Sequence, residues 1–315
     1  MEGITEIDKT EYIDECKEIV RNEISEELSD EMLTIVTNEI MDTCLFIGGD
    51  FKKENIIDIT KQYVTMGGIR RIKKAHEVFK MQHYCEIPTP KGTLRGFFHK
   101  PNQDKHPVCL IFHGFTGQKT GTKFSYVQLS RMLESKGIAS FRFDFLGSGE
   151  SDGNFVDMTF QDELSCARVI LEECLKMENC TEIYVLGHSM GGAIASELAK
   201  LYPDVIKKMV LWAPAFNLPD ALHYLTGQVE RAKTYDHGGY EISDDFVENI
   251  LKRDFYQELD TYQNDLLVIH GTKDTTVPYE ISNKYMKLFH KGTKFVSIED
   301  GNHNFDKLSD IKQVL

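Results

Sequence analysis

From about residue 82 onward the sequence alternates short apolar runs with helix-length stretches, and this alternation restricts the fold more than any other feature. HYCEIP, TLRGFFHK and PVCLIF follow one another closely; IASFRFD, EIYVLG, KMVLWAP, LLVIHG and KFVSIED come after them, mostly separated by stretches such as YVQLSRMLESKG and DELSCARVILEECLK. Short apolar strands separated by helices predict a mostly parallel, eight-stranded sheet covered on both faces, an α/β architecture. Active sites in such sheets lie at the carboxyl ends of the strands. Between residues 214 and 262 the alternation gives way to a polar stretch too long for a simple crossover, which predicts a cap over that carboxyl edge.

The segment before the sheet reads differently. From Glu11 to about Lys80, Ile13, Cys16, Ile19 and Val20 recur at three- and four-residue steps, as do Met32, Leu33, Val36, Ile40 and Met41, with Gly48-Gly49 and Gly67-Gly68 as punctuation. The chain therefore divides into a helical region over residues 1–81 and an α/β domain over residues 82–315. Apolar stripes on the helices must be covered, either by the α/β domain or by a second copy, so a homodimer interface and an active-site lid are the expected roles.

Charge narrows the partners. Of a net charge of −14, most falls in residues 1–50, which hold 15 Asp+Glu against 3 Lys+Arg. The short RRIKK at residues 70–74 is the one basic cluster and reads as a solvated helix face, so nucleic acid is not an expected partner. The opening MEGITEIDKTEYIDEC carries acid where a secretory leader needs basic and apolar residues, and no apolar run reaches membrane-spanning length, so the expectation is a cytoplasmic protein with no membrane partner. Seven scattered cysteines without paired CxxC spacing read as reduced thiols, and no His/Cys/Glu cluster suggests a metal or cofactor.

Within this frame GHSMGG, residues 187–192, follows a strand and opens a helix. A sharp strand-to-helix turn projects the Ser189 hydroxyl above the sheet while the flanking glycines relieve backbone crowding. A serine hydroxyl needs a base to take its proton and a carboxylate to orient that base, in the chain order serine, acid, histidine. HGTKDTTVP places Asp274 just after one later strand, and EDGNHNF places His303 just after the next. His188 and His270 abut glycine-rich strand tips, where a structural hydrogen bond is the commoner role, and Asp300 and Asp306 lie too near His303 in sequence to face its far nitrogen comfortably. The candidate triad is Ser189, Asp274 and His303. Donors for an oxyanion would be the backbone amides of Met190, which follows the nucleophile, and of Phe115, in the HGFTG turn at residues 113–117.

HGFTG, DFLGSGESDG, GHSMGG, HGTKDTTVPYE and GNHNF, in this order, resemble the α/β-hydrolases. Within them the chain is similar to bacterial feruloyl (cinnamoyl) esterases and to the wider serine-hydrolase group that includes monoacylglycerol lipases. The resemblance covers about residues 83–315. It implies that Ser189 attacks an ester carbonyl with His303 as base and Asp274 as its orienter, and that the insert from Pro214 to about Tyr262 recognises a small aromatic acid. DALHYLTGQ and HGGYEIS look like the family's binding segments, which makes Asp220, Gln228 and Tyr240 candidate substrate contacts. The expected activity is a serine carboxylesterase acting on hydroxycinnamate or other small acyl esters. A monoacylglycerol lipase, a thioesterase, an acyl-peptide hydrolase or amidase, and a binding protein on a hydrolase scaffold are the alternatives. Two features depart from the family: the acidic helical region is additional, and only twelve residues follow His303.

Overall fold

The computed structural model describes residues 9–227, 232–288 and 292–315. The chain divides into two compact units, Met1–Lys80 and Met81–Leu315.

In the first unit four helices follow one another: α1 (Ile13–Glu23), α2 (Asp30–Phe46), α3 (Lys53–Thr65) and α4 (Gly68–Met81). The Ser29 side chain caps α2 by accepting the Met32 amide, and Asp30 and Glu31 sit in its first turn, where the helix dipole favours negative charge. Gly48 and Gly67 take positive φ just past the ends of α2 and α3, a left-handed position that glycine occupies without steric cost. Leu33, Val36, Ile40, Met41 and Cys44 form a stripe along α2 and pack with Cys16 and Val20 of α1, Ile56 and Ile59 of α3, and Ile69 and Ile72 of α4. This corrects the expectation drawn from the sequence. The stripes close on one another in a core of their own, because four helices, rather than an isolated pair, supply the complementary faces.

The second unit contains β1 (Gln82–Thr89), β2 (Gly92–His99), β3 (His106–Phe112), α5 (Ser125–Ser135), β4 (Ala139–Phe143), α6 (Phe160–Leu175), β5 (Cys180–His188), α7 (Met190–Leu201), β6 (Ile206–Trp212), α8 (Leu218–Gly227), β7 (Thr234–His237), β8 (Tyr240–Ser243), α9 (Asp244–Leu251), β9 (Asp265–Gly271), α10 (Tyr279–Leu288), β10 (Thr293–Ile298) and α11 (Leu308–Val314). Eight strands form one sheet in the order β1-β2-β4-β3-β5-β6-β9-β10; β7 and β8 form a separate hairpin. β2 pairs antiparallel with β1 and β4, and the remaining neighbours are parallel.

Alternation along the strands feeds two cores. Val108, Leu110 and Phe112 of β3 point to the face covered by α6 and α7, whereas Cys109 and Ile111 point to the face that holds Tyr126 and Leu129 of α5 and Val314 of α11. The centre of the sheet is thus buried on both sides, as its near-continuous apolar strands require. The segment between β6 and β9 leaves the sheet to form α8, the β7-β8 hairpin and α9. Among the described residues no helix is long and apolar enough to cross a membrane.

Candidate active site

Ser189 stands between β5 and α7 with φ 56° and ψ −123°, a conformation costly for a residue with a Cβ. Its neighbours over-determine that geometry. The Ser189 amide donates to the Trp212 carbonyl at 2.9 Å, and its own carbonyl accepts the Ala215 amide at 2.9 Å. The glycines of the motif are sterically required: a Cβ on Gly191 would lie 2.3 Å from the Phe112 oxygen, and one on Gly187 would lie 2.0 Å from the Gly191 oxygen.

The turn after β3 is pressed against this elbow, since a Cβ on Gly114 would fall 2.8 Å from the Ser189 Cβ. Buried His113 fixes the turn: its Nδ1 donates to the Gly114 carbonyl at 2.9 Å while its Nε2 accepts the Phe145 amide at 3.0 Å. Burial holds this imidazole below its ordinary pKa and so keeps the neutral tautomer that both bonds need. Farther along, the Lys119 amide and ammonium both donate to the fully buried Asp144 carboxylate at 2.6 Å, tying the loop to DFLGSGESDG. Phe115 lies in the turn so fixed, and Met190, fully buried, is the first residue of α7.

Asp274 follows β9 and His303 follows β10. His303 Nδ1 donates to Asp274 Oδ2 at 2.7 Å, and the other carboxylate oxygen accepts the amides of Thr276 at 2.8 Å and Val277 at 2.9 Å. Burial by itself would raise the pKa of this carboxyl, but hydrogen bonds from His270 and His303 outweigh it and hold Asp274 below the usual carboxylate range. His188 carries the next link: its Nε2 donates to the His303 carbonyl at 2.8 Å and its Nδ1 accepts from the Tyr126 hydroxyl at 3.1 Å. Burial, with the adjacent His303 adding to it, pushes His188 down to about 3, so it stays neutral.

Ser189, His303 and Phe115 share one cavity of about 640 Å³. Its far side comes from the cap: Leu218, Ala221 and Leu222 of α8, His237 and Ile242 of the hairpin, and Phe246 of α9. The Phe115 ring stacks on Phe246 with centroids 5.1 Å apart and 22° between planes, and His237 leans on it at 5.7 Å, forming an aromatic wall.

Two of the candidate contacts in the insert, Asp220 and Tyr240, fall elsewhere. Asp220 is exposed on the first turn of α8 and is not among the cavity-lining residues, because Leu218, Ala221 and Leu222 hold the inward stripe of that helix. Tyr240, 43% exposed, sits at the hairpin tip with its ring 4.9 Å from Phe155, also outside the lining. Gln228 lies outside the described residues. Among the polar residues that line the cavity, Gln118, Thr122, Asn217 and Asn304 had no signal of their own in the sequence. Gln118 and Asn304 adjoin HGFTG and His303, and that adjacency was the available signal. Among the described residues, no group of three or more His, Cys, Asp or Glu side chains could hold a metal ion.

Comparison with known proteins agrees with this architecture. Residues 103–235 match the family described as serine aminopeptidase, S33. The structure of Est1E from Butyrivibrio proteoclasticus with bound ferulic acid superposes with a TM-score of 0.68 at 28% identity, covering 73% of this chain and 94% of that one. In sequence, the chain is 27% identical to protein phosphatase methylesterase 1 of Candida albicans over 36% of this chain and 31% of the relative. It is 32% identical to human monoglyceride lipase over 42% of this chain and 39% of the relative. The chain thus spans well under two thirds of the length of these two curated relatives. It has the α/β-hydrolase fold.

Proposed function

We propose that the protein is a serine carboxylic-ester hydrolase that acts through an acyl-enzyme on esters of small aromatic acids of the hydroxycinnamate type. The observation that carries the reading is the 2.7 Å bond from His303 to the oxygen of a carboxylate whose other oxygen is filled by two backbone amides, with His303 and Ser189 lining the same cavity. In this reading Ser189 Oγ attacks the ester carbonyl and His303 Nε2 takes its proton. Asp274 keeps the proton of Nδ1 in place and stabilises the imidazolium, and the amides of Phe115 and Met190 bind the oxyanion. His303 then protonates the departing alcohol, and water attacks the acyl-enzyme by the reverse proton path.

The acyl preference follows from the wall of the cavity. The flat face of Phe115 and Phe246 suits stacking of an aromatic acid, and Asn217, Gln118 and Asn304 offer hydrogen bonds to ring substituents. Ferulic acid bound in Est1E, which this chain covers almost completely, supports the same class. A second reading, hydrolysis of monoacylglycerols, draws on the likeness to monoglyceride lipase and on the apolar inward stripe of α8.

Initial rates decide between them, measured for wild type and Ser189→Ala on methyl ferulate, chlorogenate, p-nitrophenyl esters of increasing chain length, a monoacylglycerol and an aminoacyl anilide. Serine-dependent preference for the aromatic esters is expected. Preference for long acyl chains would move the assignment to the lipase reading, and full activity of Ser189→Ala would remove the nucleophile.

A further inference from the structure

Asp274 Oδ2 has two imidazole donors. Besides His303 Nδ1 at 2.7 Å, it receives His270 Nε2 at 3.0 Å, and His270 is completely buried at the end of β9. His270 Nε2 also lies 3.0 Å from the Val277 carbonyl, so it faces two acceptors and must carry the proton. Its Nδ1 is then an acceptor, and the fully buried Ser282 hydroxyl on α10 supplies the proton at 2.7 Å. Four donors thus fill the carboxylate, two on each oxygen. The backbone closes around the same point, since a Cβ on Gly271, next to His270, would meet the Gly301 oxygen at 2.2 Å, in the loop that carries His303.

We infer that His270 is a positioning residue for the reaction: with its proton held on Nε2 by the Asp274 and Val277 oxygens, it completes the set of donors that locks the Asp274 carboxylate in the one rotation from which Oδ2 can hold His303. The inference rests on the assignment of Ser189, Asp274 and His303 as a triad and not on the acyl group. Without the His270 donor, Oδ2 keeps an unfilled lone pair in a buried site and only the two amides on Oδ1 resist rotation of the carboxylate about its Cβ bond. His303 then loses its fixed orientation without any change in the cavity that holds the substrate.

The test measures labelling of Ser189 by a fluorophosphonate, in which the Ser189 oxygen-to-phosphorus bond forms, the phosphorus–fluoride bond breaks, fluoride leaves and the serine proton passes to His303. Labelling reports on activation of the nucleophile whatever ester the protein prefers, so an error in the hydroxycinnamate assignment leaves the result intact. For His270→Leu the maximal labelling rate is expected to fall by about 10- to 100-fold, with the half-saturating probe concentration unchanged. His270→Gln, whose amide can present an N–H to the same oxygen, is expected to recover most of that loss. Wild-type rates in His270→Leu, or equal slowing in both variants while circular dichroism shows both folded, would overturn the inference. If His270→Leu does not fold, His270→Asn decides: its shorter amide reaches only the position of Nδ1 and cannot donate to Asp274 Oδ2, so labelling slowed relative to His270→Gln supports the lock and a wild-type rate overturns it. Failure of wild type to label at Ser189 would overturn the triad and this inference together.

Discussion

At the scale of single residues, the candidate site is a set of side chains whose protons have been assigned by their neighbours. Ser189 is held at positive φ by two backbone bonds, and His303 is held at both ends, by Asp274 at its Nδ1 and by His188 at its carbonyl. If Asp274 only orients and stabilises the imidazole, Asp274→Asn should keep the fold yet lower kcat by about 10⁴-fold, since the amide favours the wrong tautomer. Unaltered kcat would place the acid elsewhere. His188 permits a prediction about stability. Its folded value of about 3 lies below the ordinary histidine value, so between these limits the unfolded chain binds a proton that the folded protein does not. The folded state therefore loses stability as pH falls from about 6.5 towards 3, by about 1.4 kcal/mol per pH unit from this group. Urea unfolding at pH 7 and pH 5 should show a shallower decline for His188→Asn than for wild type; equal slopes would assign the decline to other groups. Chain order and strand-end placement were enough to single out Ser189, Asp274 and His303 in the sequence, because each follows a recognisable apolar run. The hydrogen-bond partners of His113, His188 and His270 were not legible, because they depend on loops brought together from distant parts of the chain.

At the scale of elements, the tight joint between β3, β5 and α7 explains why small residues gather there. Gly191→Ala would press a methyl group against the carbonyl oxygens of both Phe112 and His113, at 2.3 and 2.4 Å, and neither backbone can retreat without leaving the sheet. A loss of about 3 kcal/mol in unfolding free energy, with loss of Ser189 labelling, is expected; a stable, active Gly191→Ala would show that the elbow is looser than this packing implies. The eight sheet strands were readable because apolar residues fill both faces of the central ones, a pattern that survives without knowledge of their order in space. The order β1-β2-β4-β3, with its antiparallel edge, was not contained in that pattern. The cap was readable only as an interruption. One finer signal was present: Gly238 and Gly239, both at positive φ, join β7 to β8, and a Gly-Gly pair between short polar-apolar runs is a hairpin turn signal. Which side of α8 faces the cavity could have been read from the spacing of Leu218, Ala221 and Leu222, and that spacing turns Asp220 away.

At the scale of the whole molecule, the described residues pack one core in the helical unit and two around the sheet, and the proposed chemistry belongs to the sheet unit. Every buried residue of the two apolar clusters around the sheet lies at Ile87 or beyond, whereas the helical unit closes its stripe with residues between Cys16 and Ile72. Among the described residues, the helical core and the sheet cores share no buried apolar residue. Deletion of residues 1–80 is therefore expected to leave a folded protein in which Ser189 still labels. What the helical unit adds is then open to direct measurement. Its buried stripe is already covered, so a role in dimerisation or lidding must use its outer surface, where Phe46, Ile47 and Met66 are exposed and charge is divided: residues 1–50 hold 15 Asp+Glu against 3 Lys+Arg, whereas residues 51–80 hold 3 against 8. Two copies that meet through the acidic first fifty residues repel at low ionic strength, and salt screens the repulsion over a Debye length of about 8 Å at physiological strength. A dimer built through α1 and α2 should accordingly tighten as salt is raised, whereas one that sets α1 and α2 against the basic residues 51–80 of a second copy should weaken; sedimentation of the full chain can follow either, and the deletion should remain monomeric throughout. A lid would show itself differently, as a change in KM on deletion with the sedimenting mass already monomeric in the full chain. If mass, solubility and rates are all the same with and without residues 1–80, the helical unit serves neither role.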